Sequence, residues 1–320
     1  MKVKRSDPLS LLEARLRLVY PSSIVETILE GFAAVRNTTL RVNTLKTTTE
    51  TFLQHAKEEH IVLIPVPWYP EAFIVQSPDL RTLTETSVYK NGLCYVQSLS
   101  SMLPSLILSP QKNEQILDLC AAPGSKTSHM AMLMENTGTI TANDSSHTRI
   151  YRLKANMVNL GVTNTTVTRQ VGQGLWHEYQ EYFDKTLVDV PCSMEGRISL
   201  QKPESYEDWS VKKVKELQEI QKFLLKSAIS ATKPGGTIVY STCTLSIEEN
   251  ESVIDWILKK AGEHIMLEDF DIAQVPWSPA IVETSMKQLN PEISKTKRIL
   301  PSKEFEGFYI AKIRKTQSNF

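Results

Sequence analysis

Two cysteines, Cys192 and Cys243, each follow a short apolar run, in Asp189-Val190-Pro191-Cys192 and Tyr240-Ser241-Thr242-Cys243-Thr244. A thiol is mostly protonated at neutral pH, so a nucleophilic one needs a polar, partly open setting. Cys243, between two threonines and ahead of a helical stretch, fits that setting, although Glu248 and Glu249 oppose the helix dipole there. Position alone leaves both thiols open to an inert reading. Asp189 is equally a loop cap or a buried acid that binds a base edge. A third run, Ile116-Leu117-Asp118-Leu119, opens into Cys120-Ala121-Ala122-Pro123-Gly124-Ser125-Lys126. Small residues there let a ligand approach backbone N–H groups at a helix start. The loop is neither a phosphate-gripping P-loop nor a dinucleotide fingerprint. Asp144, past the next run, stands where an acid accepts from ribose hydroxyls, or where it caps the following helix. Loop and aspartate together favour an adenosine-containing ligand.

These residues need a sheet to bring them together. From about residue 111 the pattern is βαβ, with strands expected near 116–119, 139–142, 165–168, 186–190, 237–241 and 308–311. Helices are expected near 126–134, 147–160 and 210–232. Ile150, Leu153, Met157 and Leu160 share one helical face, and Gly161 suits a left-handed C-cap. Ser246-Ile247-Glu248-Glu249 has capping-box spacing ahead of a helix carrying Val253, Ile254, Ile257 and Leu258. In open α/β sheets ligands bind beyond the carboxyl ends of the strands, where all three loops fall. The earlier part reads differently. Two helices, through Leu9–Val19 and Ile24–Phe32, precede a strand, helix, strand, strand series over 40–75. Pro65, Pro67, Pro70 and Pro78 punctuate that small α+β unit. The expected division is 1–110 and 111–320.

The 320 residues, 41% hydrophobic and 22% charged, suit one large domain and a smaller one. Lys+Arg and Asp+Glu are both 36, so any surface for a polyanion must be a local patch. Lys2, Lys4, Arg5, Arg15, Arg17, Arg41 and Lys46 make the N-terminal part the candidate. Four cysteines without paired spacing read as reduced thiols in the cytoplasm, and Cys94 as a buried small hydrophobe. Scattered histidines and the lack of Cys-x-x-Cys argue against a metal site. No run approaches the roughly 20 apolar residues of a membrane span.

Taken together, Leu117–Thr127, Asp189–Ser193 and Tyr240–Leu245 with Glu248-Glu249-Asn250-Glu251 resemble the Sun/Nop family of RNA 5-methylcytosine methyltransferases. Leu40-Arg41-Val42-Asn43-Thr44, Gln97 with Ser101-Met102, Lys233-Pro234-Gly235-Gly236 and Gly307–Ala311 extend the resemblance from about residue 20 to the C-terminus. It is nearest to the bacterial ribosomal-RNA branch. The resemblance implies a Rossmann-like class I methyltransferase sheet with helices on both faces, behind a small N-terminal α+β domain that binds RNA. It implies S-adenosylmethionine as cofactor, held by Cys120, Ala121, Ala122, Pro123, Gly124, Ser125, Lys126, Asp144, Arg149 and Asp189. It makes Cys243 the nucleophile, Cys192 the thiol that assists product release and could take the carbon-5 proton, and Asp189 the pyrimidine-edge ligand. The implied partner is an RNA substrate, ribosomal in preference to transfer RNA, taken by a monomer with or without an accessory RNA-binding protein. A non-catalytic RNA-binding or ribosome-assembly factor is the competing reading; the intact set Cys243, Cys192 and Asp189 argues against it. Three positions depart from the family pattern. Met194 replaces a glycine after Pro-Cys-Ser, Gln170 and Gln173 stand where an acid is usual, and Ser302 replaces a histidine.

Overall fold

The structure, a computed structural model, describes residues 7–283 and 288–318. Lys2, Lys4 and Arg5 of the expected RNA surface lie outside the described residues. The chain starts with helices α1 (Pro8–Val19), capped by Asp7, and α2 (Ser22–Ala33). Strand β1 (Thr38–Val42), helix α3 (Thr49–Glu58), and strands β2 (Val62–Pro65) and β3 (Ala72–Ser77) follow, as the alternation requires. Short helices α4 (Leu80–Glu85) and α5 (Ser87–Lys90) lead to β4 (Cys94–Val96), none of which the sequence pattern announced. The four strands form one antiparallel sheet in the order β2-β3-β1-β4. Phe52 and Ala56 of α3 cover Leu40, Val42, Phe73 and Val75. Helices α1 and α2 do not pack there. Their apolar stripe, Leu12, Leu16, Val25, Ile28 and Phe32, closes over Ile198, Trp209 and Leu245.

Helix α6 (Leu99–Leu108) was not anticipated. It is buried nearly all round and carries Pro104 inside, so it shows no amphipathic period. After it come β5 (Gln115–Asp118), α7 (Ser125–Leu133), β6 (Thr139–Asn143), α8 (His147–Asn159), β7 (Thr165–Thr168) and β8 (Phe183–Asp189). Then follow α9 (Val211–Ala231), β9 (Thr232–Thr242), α10 (Glu251–Ala261), β10 (Ile265–Glu268), β11 (Trp277–Pro279), β12 (Lys297–Ile299) and β13 (Phe308–Lys315). The large sheet runs β11-β12-β13-β9-β8-β5-β6-β7, with β10 also on β13. Strands β5 to β9 are mutually parallel, and β13 is antiparallel to β9. Alternate residues of each central strand face opposite layers. Ile116, Leu187, Val239 and Ile310 meet α6 and α7; Leu117, Val188, Ile238 and Tyr309 meet α9 and α10. This is the Rossmann-like sheet with helices on both faces.

Two local expectations change. Ser246 Oγ does accept from Glu249 N–H, at 3.4 Å, but the Glu249 side chain does not return to close a capping box. It is drawn inward to Ser193, and the regular helix starts only at Glu251. Arg41 is not a surface cation. It is 1% exposed and donates to Gln97 Oε1, Ser128 Oγ and Met132 Sδ, locking β1 onto α7. Arg15 and Arg17 are tied up by Glu248, Glu13 and Glu26, and Lys46 Nζ donates to Asn91 and Asn159 carbonyls. Among the described residues, each of these four cations, Arg15, Arg17, Arg41 and Lys46, already has a partner within the chain.

Candidate active site

Strand register places the chemistry. Asp189 pairs with Ser241 across β8 and β9, so the loops beyond them leave the sheet side by side. Cys192 and Cys243 meet there with their sulfurs 3.3 Å apart, as free thiols. Cys192 is buried and Cys243 partly open. Its hydrogen bond to Cys243 and its burial push the Cys192 thiol well above its ordinary range.

One strand further along, Asp118 pairs with Leu187 and with Ala142. This brings the Cys120–Lys126 loop, Asp144 and Asp189 to the same edge. Lys126, in the first turn of α7, reaches Asp189 Oδ2 at 2.6 Å and donates to Ser101 Oγ at 2.8 Å. Ser241 Oγ donates to the other Asp189 oxygen at 2.8 Å. Asp189 is therefore a fixed acid beside the thiols, not a loop cap. Asp144 Oδ2 accepts from Ala122 N–H at 3.2 Å, and its Oδ1 takes the Ser146 N–H at 2.9 Å. Arg149 lies 3.1 Å from Asp144 and also donates to the Ala122 carbonyl. Pro123 O accepts from Asn156 of α8 at 2.8 Å. Gly124 has φ of 105°, and a Cβ there would come within 2.7–2.8 Å of Met157 and Leu153. The loop is thereby held close to α8, with small residues toward the sheet edge.

Charge at this edge is specific. Burial, then Asp118, Asp144 and Asp189, push the Cys120 thiol well up, so Cys120 is a wall and not a nucleophile. Burial also raises the Asp118 carboxyl to about 7, against a hydrogen bond from Thr127. Two of the three carboxyls here are paired with cations, Asp144 with Arg149 and Asp189 with Lys126. Among the described residues there is no cluster of metal-ligating side chains.

The sequence-predicted groups Cys192, Cys243, Asp189, Cys120–Lys126, Asp144 and Arg149 converge on one edge. Met194 adopts φ of 61°, the left-handed region where glycine is at ease, and is 43% exposed. Gln170 donates its amide N–H to Glu178 Oε2 at 2.7 Å. The sequence pattern gave no task to Ser101, Ser241 or Gln221, and to Glu249 only the capping box. Ser101, Ser241 and Glu249 lie inside the quoted motifs, a signal of place but not of partner. Gly196 N–H donates to Cys243 O at 3.0 Å, and Gly307 N–H to Gly196 O at 2.9 Å. A side chain at Gly196 would strike Gly307, so this backbone stack needs glycine.

Sheet order and edge loops define a Rossmann-like methyltransferase architecture. A family model described as 16S rRNA methyltransferase RsmB/F matches residues 105–314, and one for the N-terminal domain of 16S rRNA methyltransferase RsmF matches 17–99. The chain belongs to the RsmB/F family. It is similar to ribosomal RNA small subunit methyltransferase F of Vibrio cholerae, 38% identical over 283 residues. That match covers 87% of this chain but 58% of the relative's length. The corresponding Escherichia coli protein is 37% identical over 286 residues, covering 87% of this chain and 57% of its own length. The crystal structure of a methyltransferase homolog from Pyrococcus horikoshii superposes with a TM-score of 0.79 at 33% identity. It covers 96% of this chain and 99% of that one.

Proposed function

We propose that this protein is an RNA cytosine-5 methyltransferase acting on ribosomal RNA through a transient Cys243 adduct, with S-adenosylmethionine as methyl donor. The supporting observation is the sulfur pair, 3.3 Å apart, beside an acid fixed by Lys126 and Ser241. The small-residue loop with Asp144 beside it fits an adenosine-bearing methyl donor. Cys120, Ala121, Ala122, Pro123, Gly124, Ser125 and Lys126 would line it, with Asp144, steadied by Arg149, toward the ribose. When bound, that donor supplies an electrophilic methyl group.

Carbon 5 of cytosine is a weak nucleophile. The Cys243 sulfur, after losing its proton to solvent, bonds to carbon 6 and makes carbon 5 enamine-like. Asp189, held by Lys126, hydrogen-bonds the ring edge near nitrogen 3 as charge develops there. Carbon 5 would take the methyl group as the donor's sulfur–methyl bond breaks to leave a neutral thioether, and would then give its proton to a base as the carbon 6–sulfur bond breaks. Cys192, bearing its proton, donates to the departing Cys243 sulfur. The resemblance also offers Cys192 as the base for the carbon-5 proton; the hydrogen bond with Cys243 that most raises its thiol is gone once Cys243 is bonded to carbon 6. The target base must leave any stacked helix to reach the thiols.

Residues 1–110 are assigned to RNA binding and 111–320 to catalysis, in a cytoplasmic monomer. A partner or a further segment, as the longer relatives carry, would supply RNA grip. Incubating the protein with small-subunit ribosomal RNA and methyl-labelled donor tests the proposal. Label in 5-methylcytidine after digestion is expected; label confined to another nucleoside contradicts it.

A further inference from the structure

The residues that follow the two cysteines are joined to each other and to one buried acid. Ser193 Oγ lies 2.8 Å from Thr244 Oγ1. Glu249, fully buried, accepts from the Ser193 N–H at 2.9 Å, from the Ser193 hydroxyl and from Gln221 Nε2 at 2.8 Å. Thr244 Oγ1 stands 3.5 Å away. Gln221 also donates to Pro191 O at 2.9 Å, so α9 braces the acid and the Cys192 loop together. Burial raises the Glu249 carboxyl, and the hydrogen bonds donated by Ser193 and Gln221 oppose that rise by favouring its ionised form.

We propose that Glu249 is a positioning residue that fixes the two sulfurs against each other and assigns them different tasks. The inference rests on the cysteine-adduct reading of the site. Geometrically, Glu249 ties residue 193 to residue 244, one step beyond each cysteine, which holds the sulfurs in contact. Electrostatically, a carboxylate near Cys192 disfavours a second negative charge on that sulfur. The other groups around the pair are few. Tyr240 and the Met194 N–H act on Cys192; Glu195 and Glu248 act on Glu249; Asp189 lies beyond Tyr240. Arg36 acts on Cys243, and Arg197, paired with Glu306 at 3.1 Å, acts on both sulfurs. Glu249 thus adds its negative charge on the Cys192 side, and Arg36 its positive charge on the Cys243 side, a polarity that leaves the proton on Cys192. Its S–H then donates to Cys243 sulfur before attack and again as the carbon–sulfur bond breaks, with no net proton transfer.

The test is the pH dependence of Cys192 alkylation by iodoacetamide in Cys243→Ala protein, with and without Glu249→Gln. Loss of the charge is expected to move the midpoint to lower pH, with labelling about tenfold faster at fixed pH below it. Glu249→Asp, which keeps the charge, should leave the midpoint in place. A midpoint unmoved by Glu249→Gln overturns the electrostatic assignment. Should Glu249→Gln not fold, Ser193→Ala carries the test: slower turnover with accumulated Cys243 adduct is expected, and ordinary turnover overturns the proposal. Adduct formation by the unaltered protein on 5-fluorocytidine RNA, run alongside, separates failure here from failure of the cysteine-adduct reading.

Discussion

Met194 and Gly124 both hold left-handed backbone, yet they make opposite demands on the side chain. At Met194 the cost of that conformation is about 1–2 kcal/mol, and glycine would lose about 0.5–1 kcal/mol of chain entropy instead. Met194→Gly should therefore be at least as stable as the unaltered protein in a urea titration. Gly124→Ala should lose stability by more than about 1–2 kcal/mol, because its methyl also collides with Met157 and Leu153. Asp118 gives a pH signature. Its folded carboxyl is raised to about 7, above the unfolded value of about 3.9. The folded state thus holds a proton that the unfolded chain has already released. Stability falls as pH rises between those values, and the penalty is complete above them. Asp118→Asn should gain over the unaltered protein at pH 8 and lose that gain near pH 4, read from urea midpoints.

Elements decide how far the site could be read in advance. The alternation of Ile116–Leu119 and the long helix up to Thr232 were legible, because strand and helix periods are local properties. So were the two cysteines as strand-end residues. Their contact was not, since it comes from the Asp189–Ser241 register between strands separated by a whole helix. Helix α6 hid because burial on every side erases its period. The capping-box spacing at Ser246 misled because Ser193, distant in sequence, competes for Glu249. One buried ion pair joins these elements. Arg298 of β12 grips Glu251 of α10 and donates to Tyr20 OH at 2.6 Å and Leu245 O at 3.0 Å, two residues from Cys243. Arg298→Met should cost about 3–5 kcal/mol by leaving Glu251 buried and unpaired. Adding Glu251→Gln should restore part of that loss; equal destabilisation in both proteins would disprove the pairing role.

At the scale of the molecule, equal numbers of acids and bases leave no general attraction for RNA. The expected N-terminal patch loses Arg41 to the junction between the small sheet and α7. Arg41→Met should then leave the salt dependence of RNA binding unchanged. A slope smaller by about one would return Arg41 to the RNA surface. What the two parts do share is a rigid seam. Arg41 locks β1 to α7, and Tyr69 OH lies 2.8 Å from His129, which burial, Arg41 and Lys126 keep neutral. The small sheet is thereby fixed to the helix that carries Lys126, and through it to Asp189.

The most direct measurement is trapping on RNA that contains 5-fluorocytidine, where carbon 5 has no proton to lose. With S-adenosylmethionine present, the account predicts a covalent protein–RNA species that survives denaturation, persists in Cys192→Ser and disappears in Cys243→Ala. A species that requires Cys192 and ignores Cys243 would contradict it.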